Sequence, residues 1–84
     1  MSEETVIRAI VKGTKLPKEV TTFDLTFAND STGQPAVWVN LHVKNDLRPT
    51  PEKVQRLTAA RKAISEKILK KHLTRWPYVQ LVTD

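Results

Sequence analysis

A chain of 84 residues, 39% of them apolar, has the size of one domain with a small core and leaves little room for a deep enclosed substrate cavity. It has no cysteine, which excludes disulfides, thiolate metal centres and cysteine nucleophiles. The net charge of +5 is unevenly placed: residues 50–75 hold eight Lys or Arg against Glu52 and Glu66, and the remainder is close to neutral.

No apolar run approaches the length of a membrane span. The start, Met1-Ser2-Glu3-Glu4, lacks the basic and apolar regions of a signal peptide. The expectation is a soluble, cytoplasmic protein with no membrane partner and no small-molecule substrate.

In chain order, residues 5–11 read as a first strand, with Ile7, Ala9 and Val11 on one face. Gly13 and Pro17 break the pattern. A second strand spans residues 20–27, with Phe23, Leu25 and Phe27 facing one way and Thr22, Asp24 and Thr26 the other. Turn-forming residues 28–35 connect it to a third strand, 36–43, whose core face is Val37, Val39, Leu41 and Val43. Matching the apolar faces pairs Phe27 with Val37, Leu25 with Val39 and Phe23 with Leu41. The outer face then pairs Thr26 with Trp38, Asp24 with Asn40 and Thr22 with His42.

Residues 45–49 read as a short linker. Thr50 is placed to cap a helix, Pro51 suits its first position, and Glu52 favours the positive end of the helix dipole. Pro77 is expected to stop this helix, giving residues 51–75. Its apolar stripe is Val54, Leu57, Ala60, Ile64 and Ile68, with Arg61 at the edge. Residues 78–82 read as a final short strand, parallel to the strand before the helix if adjacent to it. The expected fold is one α+β domain: an antiparallel sheet of three to four strands (5–11, 20–27, 36–43, 78–82) with one long helix packed on one face.

Catalytic chemistry finds little support. Ser2, Ser31 and Ser65 sit in a tail, a loop and a helix, none of them a nucleophile elbow. Gly13 and Gly33 are too few and too far apart for a phosphate loop. His42 and His72 stand 30 residues apart, and only Asp24 is placed near His42. No catalytic residue, metal site or cofactor is expected, and the chain is read as a non-enzymatic interaction domain.

Two partners remain. A helix of about 24 residues, about 36 Å long, outruns the strands. It leaves Leu69, Leu73 and Trp76 without cover, as contacts of a homodimer. Alternatively, Arg56, Lys62, Lys67 and Lys70 face the phosphates of DNA or RNA, with little base specificity, and Trp38 either stacks on a base or is covered by another segment.

Two likenesses accompany these readings. Three strands followed by a helix, with Val37-Trp38-Val39 in the third strand, resemble the plant ethylene-response type of DNA-binding domain over roughly residues 20–64. That resemblance implies DNA reading by the sheet, although Thr22, Asp24, Thr26 and Asn40 occupy the exposed positions in place of arginines. Residues 37–82, as strand, long helix and strand, resemble the cytosolic domain of cation-diffusion facilitators, which implies dimerisation through a sheet-and-helix unit. The further histidines and aspartates that bind metal there are missing.

Overall fold

The computed structural model describes residues 2–44 and 50–83, so the expected linker 45–49 lies outside the described residues. The elements run α1 (Glu3–Gly13), β1 (Val20–Asn29), β2 (Pro35–Val43), α2 (Pro51–Leu69) and β3 (Trp76–Thr83). The fold is α+β, and the described residues form two helices and a three-stranded mixed sheet in the order β1-β2-β3. β1 pairs antiparallel with β2, and β3 runs parallel to β2. The fully antiparallel sheet is therefore corrected: a strand that returns after a helical crossover lies parallel to its neighbour.

The segment 5–11 is the second correction. It is helical, part of α1, and joins no sheet. Ser2 caps it, its Oγ accepting from the Thr5 amide at 3.2 Å, and Glu3 and Glu4 fill the first turn. Ile7 and Val11, four apart, are its buried residues, a spacing that suits a helix. Among the described residues, two strands and not three precede α2, unlike the order on which the likeness to the plant DNA-binding domains rests.

The β1–β2 register matches the expected one at every pair from Phe23–Leu41 to Phe27–Val37, and at Thr22–His42, Asp24–Asn40 and Thr26–Trp38. The hairpin is tied by Asp30, whose Oδ1 accepts from the Thr32 amide, the Thr32 hydroxyl and the Gln34 amide at 2.9, 2.7 and 3.1 Å. Gly33 supplies the positive φ of 85° that the turn requires.

α2 starts as expected, with Thr50 Oγ1 accepting from the Lys53 amide at 3.2 Å. It ends at Leu69, six residues short of the expected 75. Pro77 does not stop it; His72 turns the chain in the left-handed region at φ 53°, after the amides of Lys71 and His72 bond back to the carbonyls of Ile68 and Leu69. The shorter helix removes the overhang from the dimer argument.

The core lies between the sheet and both helices. Val37, Val39 and Leu41 of β2 meet Ile7 and Val11 of α1 and Ile64 and Ile68 of α2. Phe23, Leu25 and Phe27 on edge strand β1 are only partly buried. Val54, expected on the stripe, is 52% exposed. Because β2 side chains alternate, Trp38, Asn40 and His42 lie on the opposite face, and no helix among the described residues covers it. The result is two layers, in keeping with a shortest extent of 18 Å. None of the described helices is long and apolar enough to cross a membrane.

Candidate functional site

The register places four rows of side chains across the uncovered face: Ala28–Ala36–Trp76, Thr26–Trp38–Tyr78, Asp24–Asn40–Gln80 and Thr22–His42–Val82. Trp38 and Tyr78 stack, with ring centroids 5.3 Å apart and 19° between planes. The Tyr78 hydroxyl donates to Asp30 Oδ2 at 3.1 Å, which fixes the ring against the hairpin. Tyr78 of the C-terminal strand thus lies against one side of Trp38, which is half-buried. Tyr78 is the ring left 38% exposed.

Below the aromatic row the polar side chains bond to one another. Asn40 Nδ2 donates to Asp24 Oδ1 at 2.6 Å and to Thr26 Oγ1 at 3.2 Å, and Gln80 Nε2 donates to Asn40 Oδ1 at 2.5 Å. His42 Nε2 donates to Asp24 Oδ2 at 2.5 Å. Among the described residues no group of three or more His, Cys, Asp or Glu comes together.

Two open grooves flank the aromatic row. The end groove, about 400 Å³, lies between the hairpin, the end of α2 and the start of β3. It brings together all three residues expected to lack cover: Leu69, Leu73 and Trp76. Leu73 is partly buried against the core, while Leu69 is 41% and Trp76 54% exposed. His72 and Arg75 also line it. Arg75 Nη1 donates to the Ala36 carbonyl at 2.9 Å, and its guanidinium lies 5.2 Å from the Phe27 ring centroid. The side groove, about 410 Å³, lies between α2 and β3 and includes Arg61, Lys62, Ser65 and Tyr78. Arg61 Nε donates to the Val79 carbonyl at 3.1 Å and so caps part of the free edge of β3.

The four cations expected to face phosphates are not equivalent. Arg56 Nη2 donates to Glu19 Oε2 at 2.7 Å, and this carboxylate is buried in the α1–β1 connection. Lys67 Nζ donates to Thr14 Oγ1 at 3.2 Å, tying α2 to the end of α1. Lys62 borders the side groove and Lys70 is exposed just past the helix. Sequence reasoning gave Tyr78 no role. Its one signal was its place on the outer face of the last strand, alternating with Val79.

Four carboxyls sit below their ordinary range: Glu3 through its bond from the Thr74 hydroxyl, Glu19 through Arg56, Asp24 through Asn40 and then His42, and Asp30 through Thr32. A lowered folded value means that each group's contribution to stability is complete above the unfolded value, about 4. It is lost as pH falls through the lower folded value. Thermal midpoints by circular dichroism should drop as the pH falls below about 4. A midpoint that stays level to the acid end would contradict these bonds.

The chain matches none of the protein-family models, curated proteins or solved structures with which it was compared.

Proposed function

We propose that this chain is a non-enzymatic interaction domain that works as a homodimer through its end groove. One observation carries the reading: Leu69 and Trp76, two of the most exposed large apolar side chains, border the same cleft, with Leu73 beside them. Grooves of this size accept an apolar anchor, and tryptophan is the side chain most enriched among energetic anchors at interfaces. Trp76 is both a projecting ring and part of the cleft's lining. A two-fold pairing can therefore seat each copy's Trp76 in the other's groove, since one patch meets itself in such an interface. Asp30 and Arg75 bring opposite charges to the cleft, so two copies need not repel there.

Light scattering at micromolar concentration should give twice the 9.6 kDa chain mass. Replacing Leu69 and Trp76 together by Ser should return the monomer with the circular dichroism spectrum preserved. A single species of chain mass at high concentration would sink the reading.

A second reading, nucleic-acid binding, is favoured by the charge distribution. The excess positive charge lies on residues 50–75, whereas the described strands carry no Lys or Arg and the sheet face includes Asp24. Lys62 and Lys70 are the exposed cations best placed to meet phosphates, and such binding should weaken steeply with salt.

A further inference from the structure

We propose that Tyr78 is a base-stacking platform for single-stranded nucleic acid at the edge of the uncovered sheet face. The proposal rests on the nucleic-acid reading of the basic segment and adds a strand class and a site to it.

Three observations converge on this ring. First, Trp38 takes one face of Tyr78, and the Asp30 carboxylate holds its hydroxyl, so the ring is set in place before any ligand arrives. Its remaining exposure lies along the lining of both grooves. A base against it would extend a stack that already contains two rings. Second, the two grooves that Tyr78 lines also hold cations, Arg61 and Lys62 in one and Arg75 in the other, of which Arg61 and Arg75 each donate to a backbone carbonyl and keep their positive charge. Stacking surfaces beside backbone-neutralising charges are the pattern by which proteins hold single strands. Third, Gln80 follows Tyr78 on the same face of β3, exposed, with its amide oriented by Asn40. An oriented amide next to a stacking ring can hydrogen-bond a splayed base.

Single strands are favoured over duplexes because stacking needs an open base face, which a duplex hides. The sheet face itself lacks Lys and Arg, so phosphates would be met at its rim and bases on the face. An acidic peptide could use the same rim cations, but it would not need the ring.

The test is fluorescence anisotropy with a labelled oligothymidylate, the duplex of equal length and a labelled poly-glutamate peptide, at low and raised salt. The whole chain should bind the single strand more tightly than the duplex or the peptide. Tyr78→Ala should lose about tenfold or more, within the range measured for single stacked bases, and Tyr78→Phe should keep most of the affinity. Arg61→Glu with Lys62→Glu should weaken binding as well, and Tyr78→Leu, which keeps an apolar side chain but no ring to stack, should lose affinity like Tyr78→Ala and stands in for it if that variant unfolds. Unchanged affinity in Tyr78→Ala, alongside a loss in Lys67→Glu with Lys70→Glu, would overturn the stacking site and leave phosphate contact by the helix. Equal affinity for the duplex or the peptide would overturn it too. No association of any probe at low salt would remove both this proposal and the nucleic-acid reading. The dimer stands or falls separately, on the mass of the unliganded chain.

Discussion

Leu41→Ala and Ile64→Ala should each cost about 2–5 kcal/mol of folding stability. Both side chains are fully buried in one cluster, Leu41 on the central strand and Ile64 on α2. Leu41 has a neighbour on each side, Phe23 on β1 and Leu81 on β3, so its loss opens a void where the sheet meets the helix layer. The sheet is held by its ladders and α2 is capped at Thr50, so neither layer can close freely over the gap. A small domain has only about 5–15 kcal/mol in total, so either variant should lose a large share of it. Each kcal/mol lowers the midpoint by about 4–8 °C in a domain of this size. Val54→Ala, at an exposed position of the same helix, should stay within about 0.5 kcal/mol. Urea unfolding of the three variants measures this, and losses well under 1 kcal/mol at both core sites would mean that the layers do not meet there.

What could be read before the structure followed from how local each signal was. The β1–β2 register was legible because two period-2 faces must match, and a slip by one residue would put Leu25 and Val39 in water. α1 was misread because residues 5–11 satisfy both periods. Val6, Ile7, Ile10 and Val11 make a helical stripe as readily as Ile7, Ala9 and Val11 make a strand face. The deciding signal lay just upstream, in the Ser2 cap and the two glutamates after it. The end of α2 carried no glycine or asparagine to announce it; a histidine takes the left-handed position instead.

The site was legible only in part, for a related reason. Leu69, Leu73 and Trp76 stood out as apolar surplus off the helical stripe, but their common groove needs the hairpin, more than thirty residues away in sequence. The Trp38–Tyr78 stack depends on β2 being the central strand, and strand order leaves no local trace. The pairing of Arg56 with Glu19 across 37 residues is equally non-local, so the charge run read as uniformly available.

Asn40 is the position where the polar layer of the sheet should prove most sensitive. Its side chain, 8% exposed, donates to Asp24 and Thr26 and accepts from Gln80, so one amide joins all three strands. Asn40→Ala removes these bonds together and should cost about 1–3 kcal/mol. The partners are more exposed and can recover water, which argues for the lower half of that range. The same change should raise the Asp24 pKa, because the bond from Asn40 is the largest influence holding it down. Asp24 then contributes less stability above the unfolded carboxylate range and loses less on acidification, so the variant's acid limb should be shallower than the parent's. Asn40→Asp supplies the sharper contrast. It places a second carboxylate against Asp24 where a donor stood, and near neutrality the two charges repel. Lowering the pH protonates one of them and restores a donor, so this variant should gain stability on mild acidification relative to the parent. Melting curves at pH values from neutral to about 4 decide the matter. If Asn40→Asp weakens in parallel with the parent over that span, Asn40 and Asp24 are not bonded across the strands.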